Sequence, residues 1–203
     1  MLSIETLRNK RADIDKLNKY IYLGHFKAGI TSARNFALKG RSIRPSSKKK
    51  YLSKQYSLEQ YEKMLKFTIV RNPYDRVLSA FYFLQRSSQH FKIAKNTDFK
   101  KWVKEVFKIK GTSFNQHFKP MYPRMIYEGK IWLDYIAKLE NINNDWKYIA
   151  DKCDLNPIFP RENYNNFKQR NNINRFNSYD DECIEIVYNI YKDDIDKLGY
   201  SFS

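Results

Sequence analysis

The chain has 203 residues, 42% of them apolar and 16% aromatic, which is enough to bury one hydrophobic core. Its six glycines and six prolines exclude a collagen-like or disordered chain, and no apolar run reaches the ~20 residues that span a bilayer. The formal net charge of +16 predicts an anionic partner: a nucleic acid, an anionic membrane, or a phosphorylated or sulfated small molecule.

We expect one domain over residues 1–203, with an N-terminal helical extension (1–19) and a basic loop (40–56). The N-terminus is charged throughout and lacks the apolar stretch of a signal peptide, which predicts a cytoplasmic protein. Cys153 and Cys183 have no second cysteine or histidine at ligand spacing, so we expect buried free thiols and no metal site or disulfide.

The first predicted pair of elements is a buried strand, Tyr20 to Phe26, and a helix that begins at Ser32. The loop between them exposes backbone N–H groups at the positive end of a helix, and both features favour an anion. Gly29 allows a ligand to approach the backbone closely, and Lys27 adds a positive charge. The loop therefore predicts a phosphate site, although a plain turn that carries a lysine explains this stretch equally well.

The order of residues in this loop separates it from a nucleotide kinase. The phosphate loop of nucleoside triphosphatases reads GxxxxGK followed by Ser or Thr, so its lysine follows the glycine. Here Lys27 precedes Gly29, and Gly24 is too close to serve as the earlier glycine. A small-molecule kinase of P-loop type is therefore the disfavoured alternative.

A second strand–turn–helix is predicted after a short helix at residues 57–65. Phe67–Val70 reads as a strand that Arg71 closes at its carboxyl end, where open α/β sheets bind ligands. Arg76 and Ser79 are three residues apart on the next helix, and we expect them to share a face away from its apolar stripe. These side chains suit a phosphate monoester; the alternative is a surface ion pair with Asp75.

The remaining chain continues to alternate strands and helices. We expect a helix at 97–108, a loop at 111–124, a third strand within 130–141, a helix capped by Asn143 or Asn144, and a last helix from Ser178 to Gly199. This alternation predicts an α/β fold in three layers, with a mostly parallel central sheet flanked by helices.

Together the two turns resemble those of PAPS-dependent sulfotransferases, specifically the carbohydrate sulfotransferase family 2 type. In that family a K-x-G-T/S-T/S turn binds the 5′-phosphosulfate of 3′-phosphoadenosine 5′-phosphosulfate (PAPS), and a V-R-D/N-P-x-x-R-x-x-S-x-F/Y element binds its 3′-phosphate. The matching stretches here are "KAGITS" and "VRNPYDRVLSAF". "FNQHFKP", "LDYIAKLENINNDWKYI" and the C-terminal "LGYSF" resemble later family motifs in the same order. Two positions depart from the family pattern, since Phe26 replaces the usual Pro and Ile30 replaces Thr or Gly.

The resemblance implies a P-loop-like sulfotransferase fold and transfer of a sulfuryl group from PAPS, a co-substrate, to a hydroxyl of a carbohydrate or glycan. Adenosine 3′,5′-bisphosphate would be the product, and no metal is required. The residues implied in PAPS binding are Lys27, Ala28, Gly29, Ile30, Thr31, Ser32, Arg71, Arg76 and Ser79. The basic loops at 41–54 and 161–175 could take an anionic acceptor, or Lys168 or Arg170 could cover the 3′-phosphate.

Sulfuryl transfer requires positive charge on the leaving side and a base on the acceptor hydroxyl. Lys27 is the expected catalytic residue on the leaving side. Among the three histidines, His117 is favoured as the base because it lies in the family-like loop and has no place in an apolar period. His25 and Glu140 stay as alternatives.

A non-catalytic module that binds nucleic acid is the other alternative suggested by the charge. It predicts aromatic residues interleaved with basic residues on one surface. Most Phe and Trp residues instead lie on core periods, and such a module leaves the two predicted phosphate turns unexplained. We therefore expect no nucleic acid partner.

Overall fold

The computed structural model describes residues 12–40, 42–43, 58–86, 97–160 and 173–203. The fold is α/β, with a central sheet flanked by helices, as the sequence predicts. The chain divides into two compact units. Unit 1 comprises Met1–Val70 and Pro123–Asn163, and unit 2 comprises Arg71–Tyr122 and Tyr164–Ser203.

Unit 1 contains a five-stranded sheet in the order β3-β1-β2-β4-β7 and a two-stranded hairpin, β5-β6. In the five-stranded sheet β2, β4 and β7 run parallel, whereas β1 is antiparallel to both β2 and β3. The strands are β1 (Ala12–Asp15), β2 (Tyr20–Leu23), β3 (Ser42–Ile43), β4 (Leu65–Val70), β5 (Ile126–Tyr127), β6 (Lys130–Ile131) and β7 (Tyr135–Lys138).

Among the described residues, three helices have ten or more residues and the others have three to six. Their bounds, in chain order, are α1 (Ile30–Ser32), which continues as a π-helical turn (Ala33–Ala37), α2 (Leu58–Lys63), α3 (Pro73–Arg86), α4 (Phe99–Trp102), followed by a π-helical turn (Val103–Phe107), α5 (Lys108–Lys110), α6 (Tyr122–Met125), α7 (Ile142–Cys153), α8 (Arg175–Ser178), α9 (Asp181–Ile190) and α10 (Lys192–Lys197). Single 3₁₀ turns lie at Gly111–Ser113, Gln116–Phe118 and Leu139–Asn141.

The two faces of the unit 1 sheet follow from the alternation of side chains along β2. Tyr20 and Tyr22 lie on one face and pack with Phe67 of β4 and Trp146 of α7. Ile21 lies on the opposite face, in a smaller cluster that α2 and the hairpin help to cover. Each large apolar side chain buried in this way contributes about 1.5–3 kcal/mol.

Unit 2 has its own core, which is rich in aromatic rings. Trp102 lies at its centre, completely buried and in ring contact with Phe81, Phe107 and Phe118. The apolar side of α9 completes this core. Both cysteines are buried free thiols, as predicted: Cys153 in unit 1 and Cys183 in unit 2.

Three sequence expectations are corrected at the ends of elements. The N-terminal extension is not helical at residues 12–15, because β1 is fully buried and pairs with two neighbouring strands. The expected third strand is divided by the 132–134 segment, so that β6 joins the hairpin and β7 joins the main sheet. The expected last helix is interrupted at Tyr191 and becomes α9 and α10.

Two further details differ from expectation. The N-cap of α7 is Asn141, which makes no side-chain capping bond, so neither Asn143 nor Asn144 has that role. The predicted basic loop begins with β3, at Ser42–Ile43, and its residues 44–56 lie outside the described part of the chain.

Candidate functional site

The first predicted phosphate loop leaves the parallel part of the unit 1 sheet. Leu23, the last residue of β2, pairs with Thr68 of β4, whose side-chain oxygen donates a hydrogen bond of 2.6 Å to the Leu23 carbonyl. Since β2 and β4 are parallel, the loop after Leu23 begins at the edge where β4 ends at Val70. This is the edge at which parallel sheets bind ligands.

The backbone of the loop is left-handed at two positions. Lys27 has a φ of 65° and Gly29 has a φ of 75°, and α1 begins directly after Gly29. The Ala28 N–H bonds back to the His25 carbonyl at 3.3 Å, and the Ala33 N–H bonds to the Gly29 carbonyl at 2.9 Å. Backbone that changes hand in this way turns successive N–H groups toward one side and forms a concavity suited to an anion.

The left-handed conformation of Lys27 is itself informative. A residue with a Cβ adopts it at a cost of about 1–3 kcal/mol, and such strain is concentrated at functional positions. At position 29 a side chain is also disfavoured sterically, because a Cβ on Gly29 would lie 3.0 Å from Cδ1 of Leu139. Ala28 and Ser32 are buried, Lys27, Gly29 and Ile30 are half-buried, and Thr31 is exposed.

Two half-buried arginines bind residues at or beside this loop, and no sequence pattern indicated either contact. Arg124 donates a 2.8 Å hydrogen bond to the Gly24 carbonyl, and its guanidinium also lies 3.2 Å from Nδ1 of His25. Arg34, in the π-helical turn after α1, forms an ion pair with the buried Asp13 of β1. Burial raises the pKa of the neighbouring Tyr22 despite the opposing effect of Arg34, so this phenol stays neutral.

These contacts give His25 a supporting role. Its side chain is almost completely buried, and one ring nitrogen lies against Arg124. Because the ring is almost completely buried and lies against Arg124, it is less accessible to an acceptor hydroxyl than the half-buried His117, which makes His25 the weaker candidate for a base. Glu140, the third candidate, lies exposed in the 3₁₀ turn that follows β7.

The second predicted element begins unit 2. Asn72 caps α3, since its side-chain oxygen accepts the Tyr74 N–H at 3.0 Å, and its amide nitrogen donates to the Ser201 carbonyl at 2.8 Å. Arg71 is half-buried. The expectation that Arg76 and Ser79 face away from the core is wrong, because their exposures are 2% and 9% and α3 is buried on that side as well.

Arg76 holds a turn that lies far away in the sequence. Its Nη2 donates to the His117 carbonyl at 3.1 Å and to the Lys119 carbonyl. Tyr191 donates its hydroxyl to the Phe118 carbonyl at 2.6 Å. Asp194 accepts the N–H groups of Met121 and Tyr122 at 2.7–3.0 Å. We call residues 115–122 the histidine turn.

His117 is presented by this turn. Its ring is half-buried beside the exposed ring of Phe83, with 5.1 Å between the ring centroids. Its Nδ1 lies 2.6 Å from the side-chain oxygen of Asn115. His117 was predicted from the sequence, but its contacts with Asn115 and Phe83 were not. The "FNQHFKP" motif contains Asn115, whereas no local pattern indicates Phe83.

Each predicted site residue can now be placed. Lys27, Ala28, Gly29, Ile30, Thr31 and Ser32 lie together in the loop of unit 1, while Arg71, Arg76, Ser79 and His117 belong to unit 2. Lys168 and Arg170 lie outside the described residues. Among the described residues, no cluster of three or more His, Cys, Asp or Glu side chains could hold a metal ion, and no helix is long and apolar enough to cross a membrane.

Comparison with known proteins identifies the family of this chain. The family model described as "Sulfotransferase family" matches residues 18–201, which is nearly the whole chain. Neither the comparison with curated proteins nor the comparison with solved structures returns a significant match. The matched range contains both strand–turn–helix elements and the histidine turn. The chain therefore belongs to the sulfotransferase family.

Proposed function

We propose that this protein transfers a sulfuryl group from PAPS to a hydroxyl of a carbohydrate or glycan acceptor. The observation that carries the proposal is the left-handed turn at Lys27 and Gly29, which follows a parallel strand and opens a helix. Membership of the sulfotransferase family supports sulfuryl transfer in general, and the net charge of +16 suits a donor that carries several negative charges.

On the donor side, the loop of unit 1 receives the 5′-phosphosulfate. The backbone N–H groups around Gly29 and the start of α1 contact its oxygens, with Thr31 and Ser32 adding hydroxyl donors. Lys27 stabilises the negative charge that grows on the bridging oxygen as its bond to sulfur breaks. The products are the sulfated acceptor, adenosine 3′,5′-bisphosphate and the proton of the acceptor hydroxyl.

For the 3′-phosphate we propose Arg71, Arg76 and Ser79. The half-buried Arg71 is suited to contact the phosphate directly. The burial of Arg76 and its bonds to two carbonyls favour a supporting role for this residue. Lys168 or Arg170 would add further positive charge.

On the acceptor side we propose His117 as the base. It accepts the hydroxyl proton while the acceptor oxygen attacks sulfur opposite the leaving oxygen. The exposed ring of Phe83 beside it offers an apolar face of the kind on which the C–H groups of a sugar ring pack. This arrangement favours a carbohydrate over a small charged acceptor.

The donor assignment is tested by sulfuryl transfer from labelled PAPS to a panel of acidic and neutral glycans. Lys27→Met keeps the length of the side chain and removes the charge, so we expect kcat to fall about 10²-fold or more. Lys39→Met, which removes an exposed lysine of the same unit, is the matched control and should leave kcat unchanged. Equal activity in both variants would contradict the role of Lys27.

Nucleotide binding is tested separately by thermal unfolding. Adenosine 3′,5′-bisphosphate at 100 times its Kd should stabilise the protein by about 2.7 kcal/mol. Arg71→Ala should remove most of that stabilisation, whereas Lys192→Ala, at an exposed position of unit 2, should not. Equal stabilisation by ATP or by a random oligonucleotide would instead favour a kinase or a nucleic-acid-binding protein.

A further inference from the structure

Asn115 makes two contacts with His117 through a single atom. Its side-chain oxygen lies 3.0 Å from the backbone nitrogen of His117 and 2.6 Å from Nδ1 of the imidazole ring. The same residue is the N-cap of the 3₁₀ turn Gln116–Phe118. The identity of the Asn115 atom in the backbone contact therefore also fixes the identity of the atom that faces the ring.

The backbone contact fixes which way the Asn115 amide points. A backbone N–H can only donate, so the Asn115 atom that faces it must be the oxygen and not the NH₂ group. The same oxygen faces Nδ1 of the ring, and an oxygen of this kind can only accept. A neutral imidazole at this position must therefore carry its proton on Nδ1, which leaves the lone pair on Nε2.

We infer that Asn115 is a positioning residue that holds His117 in the Nδ1–H tautomer, so that Nε2 is the nitrogen that accepts a proton. The part of this inference that concerns catalysis rests on the proposed sulfuryl transfer. There the acceptor hydroxyl gives its proton to Nε2 as its oxygen bonds to sulfur, while Nδ1–H stays bonded to Asn115.

The surroundings of the histidine turn keep this geometry. Arg76 from α3 and Tyr191 at the end of α9 bind the carbonyls of three consecutive residues, His117, Phe118 and Lys119. The backbone on both sides of the imidazole is therefore held, by the capping contact at Asn115 and by the bonds to the carbonyls of residues 117–119.

The tautomer can be observed directly by nitrogen-15 NMR of the imidazole rings in the full chain. The sequence has three histidines, so His117→Gln identifies the His117 signals by their loss. We expect a protonated Nδ1 and an unprotonated Nε2 at pH values above the pKa of His117. A ring protonated on Nε2 would overturn the inference.

Two variants separate positioning from a purely structural role. Asn115→Ser keeps a capping oxygen for the His117 N–H on a shorter side chain, and should let the ring adopt the Nε2–H form, with about a tenfold or greater loss of kcat. Asn115→Asp keeps both contacts and adds a negative charge, so the acidic limb of the pH–rate profile should move up by about one pH unit.

The readouts also separate this inference from the proposed function. Rate losses without any change in tautomer or pH profile would mean that Asn115 is structural and would overturn the inference, even if sulfuryl transfer is observed. The NMR result needs no substrate, so the expected tautomer would support Asn115 as a positioning residue even in a protein that fails to sulfate any glycan. If Asn115→Ser fails to fold, the pH profile of Asn115→Asp decides.

Discussion

The loop at Gly29 in unit 1 and the histidine turn in unit 2 are built in different ways. The turn within the loop takes its shape from its own backbone, through left-handed residues at positions 27 and 29 and hydrogen bonds that span three or four residues, while Arg124 binds the Gly24 carbonyl where the loop starts. The histidine turn takes its shape from side chains 41 to 73 residues away, since Arg76, Tyr191 and Asp194 bind its carbonyl and N–H groups.

The difference shows how far a local motif determines a site. A short stretch with a glycine at the correct position defines its own dihedral angles, so a sequence pattern is sufficient to find it. A turn held from a distance exists only once the surrounding core has formed. The two regions should therefore respond to different kinds of substitution.

The largest effect is expected for Arg76→Met, which removes the guanidinium that holds the histidine turn. Two carbonyls lose a charged donor, so the free energy of unfolding should fall by about 3 kcal/mol. Chemical denaturation measures this change. In hydrogen exchange, the amides of Phe118 and Met121 should lose protection, whereas that of Ala33, in the loop of unit 1, should not.

Arg175→Met is the matched control for that experiment. Arg175 is a half-buried arginine of the same unit, and it binds Asp75 and the Phe202 carbonyl rather than the histidine turn. The Arg175→Met substitution should lower the free energy of unfolding without a selective rise in hydrogen exchange at the amides of Phe118 and Met121. If both variants alter the exchange of these amides equally, the turn does not depend on Arg76 in particular.

A smaller effect is expected for Gly29→Ala, which tests the backbone-encoded region. The left-handed φ costs alanine about 1–2 kcal/mol, and the added Cβ also displaces Leu139. Affinity for adenosine 3′,5′-bisphosphate, measured by calorimetry, should fall about tenfold or more.

Gly40→Ala separates backbone strain from the effect on the loop. Gly40 has nearly the same dihedral, with a φ of 78°, but a Cβ there meets no atom within 4 Å. We expect a similar loss of stability from strain and unchanged nucleotide affinity. Equal loss of affinity in both variants would show that the loop at Gly29 is not the nucleotide site.

The smallest effect is expected at Asp180 in unit 2, whose capping role depends on neighbouring residues in the sequence. Asp180 caps α9 by accepting the Cys183 N–H at 3.1 Å, and its hydrogen bonds, first to Lys104 and then to Cys183, lower its pKa to about 2. Asp180→Ala should cost about 1 kcal/mol near pH 7. The ion pair between Asp180 and Lys104 adds little to this loss of stability, because solvent screens it.

The pH dependence of that cost has a defined sign. Because the pKa of Asp180 is lower in the folded protein than its ordinary value of 3.8, its contribution is complete above that value and is lost as the pH falls through about 2. The difference in urea midpoint between the variant and the unaltered protein should therefore shrink in acid. Asp181→Ala, one residue later in the first turn of α9, is the control; a difference that stays constant down to pH 2 would contradict the assignment.

Several features were predictable because neighbouring residues produce them. The parallel strands β2 and β4, the helix α3 that follows β4 and the loop at Gly29 all follow from patterns of a few residues, and the structure contains each of them. The start of α9 belongs to the same class, since the sequence predicts a helix from Ser178 and the structure begins it at Asp181, after the Asp180 cap.

Other features depended on partners that a sequence pattern does not reveal. The charged segment at residues 12–15 becomes a buried strand because β2 and β3 pair with it on both sides. Arg76 has the spacing of a solvent-facing residue, yet it is buried because the histidine turn supplies two carbonyls for its charge.

The sequence by itself determined the α/β class, the two strand–turn–helix elements and membership of the sulfotransferase family, because each depends on local spacing and order along the chain. The tertiary structure decided which arginines hold which loops, that His25 is buried against Arg124, and that Asn115 faces the ring of His117. The physical reason is that a buried charge or ring nitrogen needs a specific partner, and most of these partners are brought within hydrogen-bonding distance only when the chain folds.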